Sequence, residues 1–118
     1  MPNPVVHFEV VGKDLKLLQA FYQDVFAWQI TPVMSEYSMV GKEDGGIAGG
    51  LGAFANTPSY ITIYVEVADI DAALKAVESH GGKKLFDPHA IPDGTALISN
   101  FTDPEGHIVG LIQRTPKS

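Results

Sequence analysis

The feature that most constrains the fold is a segment near the end of the chain, part of which is repeated earlier in the sequence. Two apolar runs, residues 96–102 and 108–112, are joined by Asp-Pro-Glu-Gly at positions 103–106. Proline presets one turn dihedral and glycine adopts a conformation that other residues resist, so this segment predicts a β-hairpin. Residues 46–51 repeat the Ile-x-Gly spacing of its second strand, with Ile and Gly in register with residues 107–111. This partial repeat indicates an internal duplication.

The first half of the chain predicts a strand, a helix and three further strands. Residues 5–11 alternate, which places Val6, Phe8 and Val10 on one face and the polar pair His7 and Glu9 on the other. After them come a helix-capping aspartate and apolar residues at spacings of three and four, typical of an amphipathic helix. We therefore expect a helix that begins after Asp14, extends to about Trp28 and covers the Phe8 face, and then short strands at 29–33, 37–41 and 46–53.

The second half repeats this order. Residues 60–67 alternate as a strand, Asp69 takes the capping position of Asp14, and Gly81-Gly82 predicts the end of the helix. Residues 84–87 predict a weak strand and residues 88–95 a polar loop, before the hairpin completes the set. Aligning the two copies leaves six extra residues in the second, assigned to the loop 89–94. The predicted fold class is α+β, with two tandem βαβββ modules, 1–57 and 58–118, forming a curved mixed sheet with a concave pocket in a single domain.

Composition excludes several classes of function. The net charge is −6 and the eight Lys and Arg residues are scattered, so no basic stripe is available for nucleic acid. The chain has no cysteine, which removes disulfides, thiolate nucleophiles and thiolate metal ligands. No apolar run approaches the roughly 20 residues of a membrane helix, and the first residues lack a secretory pattern. The expected setting is the cytoplasm, without a membrane partner.

These features together resemble the vicinal oxygen chelate superfamily. The resemblance rests on the duplicated units, on His7 seven residues before the helix-opening aspartate, on Phe21-Tyr22 in mid-helix and on the Asp-Pro-Glu-Gly turn. The superfamily includes glyoxalase I, bleomycin-resistance proteins, extradiol dioxygenases and methylmalonyl-CoA epimerase. Its members share a sheet and a pocket and catalyse different reactions, so the resemblance implies a fold and not a reaction.

The resemblance also implies where a metal ion would lie. In metal-using members the ligands come from the first and last strands of each copy, positions that correspond here to His7, Gly49, Thr62 and Gly110. Only the histidine is an ordinary ligand, because glycine has no side chain and threonine is a poor donor for such ions. We therefore expect no metal and no other cofactor.

The alternation places a set of apolar and small residues, with a few polar ones, on the predicted concave face. This pattern is typical of a small-molecule pocket, in which glycines leave room for the ligand. His7 and Glu9 are candidate catalytic residues, with the carboxylate raising the imidazole pKa, although a histidine retained only for hydrogen bonding is the alternative. The predicted ligand-binding residues are His7, Glu9, Ile47, Gly49, Leu51, Thr62, Tyr64, Ile108, Gly110 and Ile112.

Four functional hypotheses follow from these residues. The first is a metal-free, glyoxalase-like protein of the bleomycin-resistance type that binds a small, partly apolar molecule. The others are a metal-independent lyase or isomerase using His7 and Glu9, a metal-dependent glyoxalase-type lyase or dioxygenase, and a structural dimer whose concave face is filled by its own side chains. Exposed sheet edges and a concave apolar side predict a symmetric homodimer, with Trp28 as an interface candidate. The loop that carries His89 is a candidate cover for the pocket.

Overall fold

A computed structural model describes residues 2–42, 45–92 and 94–114 of the chain. It contains two helices and nine strands within those ranges. In chain order they are β1 (Val5–Gly12), α1 (Leu15–Phe26), β2 (Ile30–Met34), β3 (Tyr37–Val40), β4 (Ala48–Ala53), β5 (Tyr60–Glu66), α2 (Ile70–Ser79), β6 (Lys83–Lys84), β7 (His89–Ala90), β8 (Ala96–Thr102) and β9 (Ile108–Arg114). The predicted α+β class is confirmed, since each helix packs beside strands that pair both in parallel and antiparallel.

The chain divides into two compact units. The N-terminal unit is Val6–Thr62, and the C-terminal unit is Met1–Val5 together with Ile63–Ser118. Strand β5 therefore contributes its first three residues to one unit and the rest to the other. None of the helices in the described ranges is long and apolar enough to cross a membrane.

In the N-terminal unit, β1 pairs in parallel with β4, β4 pairs antiparallel with β3, and β3 pairs antiparallel with β2. Helix α1 begins as predicted, because Asp14 Oδ1 accepts the backbone N–H of Leu17 at 3.1 Å. It ends two residues earlier than predicted, at Phe26, since Ala27 takes the left-handed conformation at φ 58°. Leu18 lies against Gly12, which is on the same face of β1 as Phe8, so the helix covers the expected face.

In the C-terminal unit, β5 pairs in parallel with β9, and β8 pairs antiparallel with β9. Asp69 caps α2 by accepting the N–H of Ala72 at 3.1 Å, and Gly81 follows the helix at φ +97°, as predicted. The core of this unit lies between α2 and one face of the sheet. It consists of Val67, Ile70, Leu74 and Leu111, with Val65, Ala73, Leu97 and Phe101 packed around them.

The predicted hairpin is confirmed. Strands β8 and β9 pair from Ala96–Arg114 to Thr102–Ile108, and Gly106 in the turn has φ +92°. The Asp103 carboxylate accepts the backbone N–H groups of Glu105 and His107. Those donors, with the backbone N–H of His107 contributing most, hold the pKa of Asp103 below its ordinary value.

Two predictions in the second copy are wrong. The strand expected at 84–87 is reduced to Lys83–Lys84, and part of the expected loop 88–95 is strand β7, where His89 pairs with Ile98. Strands β6 and β7 are each only two residues long, so the sequence there has no long alternating run. Both strands form by pairing with the longer β8. Asp93, within the predicted six-residue insertion, lies outside the described residues.

Candidate functional site

His7 and Glu9 share the face of β1 that is turned away from α1. The intervening Phe8 lies on the helix side, with its ring 5.2 Å from the Trp28 ring just beyond that helix. Since successive side chains of a strand point to opposite faces, the histidine and the carboxylate both lie on the face of β1 opposite Phe8. Glu9 is only 8% exposed, so its carboxylate must be satisfied by protein groups.

The hydroxyl of Tyr37 links these two residues. It donates a hydrogen bond to Glu9 Oε2 at 3.0 Å and lies 3.3 Å from His7 Nε2. A phenol has one hydrogen, so a hydroxyl that donates to the carboxylate can only accept from the imidazole. We therefore assign a hydrogen of His7 to Nε2.

Tyr60, at the start of β5, is the second tyrosine at Glu9. Burial raises the pKa of Tyr60 above its ordinary value, and the negative charge of Glu9 and a side-chain hydrogen bond to it raise the pKa further. A raised pKa keeps the phenol protonated and able to donate. His7, Glu9, Tyr37 and Tyr60, hereafter the tyrosine–glutamate cluster, form one connected polar group inside the N-terminal unit.

Two glycines of β4 make room for Tyr37. A Cβ at Gly50 would lie 1.7 Å from the Tyr37 hydroxyl oxygen, and a Cβ at Gly52 would lie 3.2 Å from its ring. Tyr37 of β3 pairs with Gly52 of β4, so its ring extends over β4 to reach Glu9 on β1. The Phe54 ring packs beside it at 6.3 Å between ring centres.

Tyr37 and Tyr60 are the functional candidates that were absent from the sequence prediction. The signal available in the sequence was the Gly50-Leu51-Gly52 spacing inside a strand. Glycines two apart leave one face of a strand bare, which marks the close approach of another group. The pattern does not identify that group, because the tyrosine comes from a neighbouring strand.

The register of β1 and β4 corrects the predicted face of two residues, Gly49 and Leu51. Phe8 pairs with Gly49 and Val10 with Leu51, so both β4 residues lie on the face covered by the helix and not beside His7 and Glu9. Ile47 precedes β4 and belongs to no strand pair there. The alignment was one residue out, and a shift of one residue moves every side chain to the opposite face. Gly50 is the residue beside Glu9.

The C-terminal unit has a related arrangement. Tyr64 pairs with Gly110, and a Cβ at this glycine would lie 2.4 Å from the Tyr64 ring. Their shared face is the one predicted, opposite the core residues Val65 and Leu111, and Ile112 lies on it as well. Asn100 pairs with Gly110 and buries its Oδ1 without a hydrogen-bond partner among the described residues.

The glycines do not leave open room for a ligand. The ring of Phe8 occupies the space beside Gly49, and the ring of Tyr64 occupies the space beside Gly110. The expectation of vacated space at these positions is therefore wrong. Thr62 is buried two residues after Tyr60 on the same face of β5. That Thr62, Tyr64, Ile108, Gly110 and Ile112 contact a ligand stays a prediction.

The donor set of the cluster does not fit a divalent metal ion. His7 and Glu9 are two donors on one strand, and the carboxylate is already bonded to tyrosine hydroxyls. Within residues 2–42, 45–92 and 94–114, no three His, Cys, Asp or Glu side chains come together in a way that would hold an ion. Catalytic metal centres need three protein ligands, so no step of any reaction is assigned to a metal here.

His89 does not lie in a loop as predicted. It sits in the exposed strand β7 and packs against Phe86 with 5.2 Å between ring centres. His107 is exposed at the hairpin, where Nδ1 contacts Asp103. Trp28, the predicted interface residue, stacks on Tyr22 at 4.7 Å within its own unit.

The sequence matches a known protein family along most of its length. Residues 5–111 match the Glyoxalase/Bleomycin resistance protein/Dioxygenase superfamily. The chain belongs to this superfamily. The match covers both units and confirms the resemblance inferred from the duplicated strands, the capped helices and the Asp-Pro-Glu-Gly turn.

Solved structures agree with this superfamily fold. A methylmalonyl-CoA epimerase of Streptomyces coelicolor, in complex with 2-nitronate-propionyl-CoA, has a TM-score of 0.69 at 20% identity, covering 95% of this chain and 97% of that one. The methylmalonyl-CoA epimerase of Mycobacterium tuberculosis has a TM-score of 0.72 at 14% identity, covering 95% and 88%. A hypothetical protein of Bacillus halodurans has a TM-score of 0.72 at 14% identity, covering 100% and 99%. No curated protein matches the sequence. At these identities the likeness establishes the fold alone.

Proposed function

We propose that this protein is a metal-free member of the superfamily, of the bleomycin-resistance type, that binds a small, partly apolar molecule at the tyrosine–glutamate cluster. The observation that carries the proposal is the Tyr37 hydroxyl, held between His7 and Glu9 at 3.3 and 3.0 Å. A few placed polar groups among apolar and aromatic side chains are the usual composition of a small-molecule site. The aromatic neighbour in this case is Phe54.

Acid–base catalysis by a lyase or isomerase is the second candidate function. It is favoured by the connection of the imidazole to a buried carboxylate through one phenol, the arrangement that orients a general base. In this role the imidazole of His7 would accept a proton from the substrate, while Tyr37 and Glu9 would hold the ring. The epimerases among the structural neighbours are isomerases, but their identity to this chain is too low to transfer that activity.

We also propose that the protein is a homodimer. The outer side of α1 exposes apolar side chains at successive helical turns, Leu17, Phe21 and Val25, and Phe26 is exposed after them. A contiguous apolar surface of this kind is unusual on a monomer and typical of an interaction site. A second copy of the chain is its simplest occupant.

Native mass spectrometry of freshly purified protein, with and without added Ni²⁺, Zn²⁺ or Mn²⁺, tests these proposals together. We expect a metal-free dimer that retains an organic mass. Gly50→Ala should lose that mass, because the new Cβ would displace the Tyr37 hydroxyl from Glu9. Gly41→Ala is the matched control, since a Cβ there meets Gln29 only at an ordinary contact of 3.6 Å.

Other outcomes of this experiment would contradict the proposal. Stoichiometric metal in every subunit would restore metal-dependent lyase or dioxygenase chemistry. Protein that retains no organic mass and takes none from a small-molecule extract would overturn the binding function. Nuclear magnetic resonance of the released compound, before and after incubation with fresh protein, separates the two candidates, since a binding protein returns it unchanged and an enzyme converts it.

A further inference from the structure

The two tyrosine hydroxyl groups of the tyrosine–glutamate cluster both direct their hydrogen atoms at Glu9. Tyr37 donates its one hydroxyl hydrogen to Glu9, and Tyr60 hydrogen-bonds the same carboxylate. The contact of His7 Nε2 with Tyr37 is then a hydrogen bond that the imidazole donates. A phenol oxygen whose hydrogen is committed to Glu9 meets any further group only as an acceptor.

The negative charge of the cluster also selects among ligands, because it disfavours an anionic group. Glu9 is a buried carboxylate, and a second anion brought beside it would meet repulsion that is weakly screened at such a site. The Tyr37 hydroxyl bonds Glu9, and the Tyr37 ring lies nearly parallel to the Phe54 ring, with an interplanar angle of 18°. The face of an aromatic ring is negative and attracts cations. Hydrogen-bond direction and charge therefore select the same kind of ligand.

We infer that the polar end of the ligand is a hydrogen-bond donor, a hydroxyl or an ammonium group, and that carboxylates and phosphates are rejected at the tyrosine–glutamate cluster. The inference rests on the proposed binding function and adds the class of ligand. The apolar part of such a molecule would pack against the Tyr37 and Phe54 rings, whose side chains are both partly exposed.

Three probes with one apolar body and different polar ends test the inference: phenethylamine, phenethyl alcohol and phenylacetate. Isothermal titration calorimetry near neutral pH measures the affinity of each for the wild-type protein. The amine and the alcohol should bind at least about tenfold more tightly than the carboxylate, because only they donate to the cluster. This ranking needs no variant and is independent of any effect of mutation on folding.

Substitution of the carboxylate tests whether the preference arises at this site. In Glu9→Gln the preference for phenethylamine over phenylacetate should fall by about tenfold, since the charge that distinguishes them is gone. Glu78→Gln is the matched control, because it removes the same charge from an exposed position on α2. The control should leave the ranking unchanged.

Three results would overturn the inference. They are phenylacetate binding as tightly as the amine, a preference that persists in Glu9→Gln, and a preference that falls equally in Glu78→Gln. Failure of all three probes at millimolar concentration would also count against the inferred ligand class. Retention of an organic mass in native mass spectrometry would then still support the binding function, so the two proposals fail in different experiments.

Discussion

Helices α1 and α2 both begin after an aspartate whose side chain accepts a backbone N–H at 3.1 Å, yet only α2 buries side chains. Leu74 of α2 is 4% exposed and Ile70 is fully buried, whereas α1 has no buried residue and Leu17 is 68% exposed. The same local signals thus start both helices, but they do not determine how much apolar surface each removes from water. In the C-terminal unit the helix is part of the core, and in the N-terminal unit it leaves an apolar side uncovered.

The sheet faces opposite the helices differ in a second way. Each unit places a tyrosine over a glycine, Tyr37 over Gly50 and Tyr64 over Gly110. In the N-terminal unit the hydroxyl joins a buried carboxylate and an imidazole, while Asn100 in the C-terminal unit leaves a buried carbonyl oxygen without a partner among the described residues. In the N-terminal unit the glycine–tyrosine packing therefore supports a cluster of polar side chains around Glu9.

Truncation of the two helices should give the largest contrast. Leu74→Ala removes a side chain from the core, so the free energy of unfolding should fall by about 3 kcal/mol. Leu17→Ala, the matched change on α1, should alter it by less than about 0.5 kcal/mol at protein concentrations low enough for the chain to be monomeric, since this side chain is exposed to water within one subunit. Urea denaturation followed by circular dichroism measures both. At higher protein concentration the loss caused by Leu17→Ala should grow, because the proposed dimer covers the outer side of α1, and a loss that does not depend on concentration would contradict the dimer.

The capping aspartates should give a smaller effect of similar size in the two units. Asp14→Ala and Asp69→Ala each remove one hydrogen bond to a helix N-terminus, at a cost of about 1 kcal/mol. Asn in place of either aspartate should restore most of the stability, because its side-chain oxygen also accepts the backbone N–H. A loss of stability in Asp69→Ala but not in Asp14→Ala would contradict this expectation. It would mean that α1 forms independently of its capping aspartate.

The smallest expected effect is confined to alkaline pH. The raised pKa of Tyr60 means that the folded protein keeps this proton after the unfolded chain has lost it. The contribution of Tyr60 to stability is therefore complete below the ordinary tyrosine pKa of about 10 and decreases as the pH rises through the folded-state pKa. Tyrosinate absorbance should contain a late-titrating component that Tyr60→Phe removes. Tyr22→Phe, a change at a residue stacked on Trp28, should retain it.

Much of the fold follows from short-range patterns. The hairpin turn, the two aspartate caps and the stop at Gly81 depend on dihedral angles and hydrogen bonds within a few residues, and all four were predicted. The alternation of β1 likewise placed His7 and Glu9 on one face. These features are local, so the residues that specify them are neighbours in the chain.

Predictions that needed contacts between distant strands succeeded less often. The strand run 60–67 predicts a single apolar face, but Ile61 is 72% exposed while Val67 is buried, because the neighbours that cover each position are not encoded in the alternation. Strand β7 was missed for the same reason, since its two residues are ordered by pairing with β8. The residues of β4 on the concave face were predicted one residue out, and Gly50 instead of Gly49 lies beside Glu9.

The sequence by itself determined the α+β class, the order of the two helices and the longer strands, and the placement of the histidine and the carboxylate on one strand face. Only the tertiary structure decided what surrounds them. Tyr37 and Tyr60 reach Glu9 from other strands, 28 residues away along the chain in the case of Tyr37. Local periodicity specifies which way a side chain points, whereas the partner that it meets depends on strand register, and register is set by packing over the whole unit.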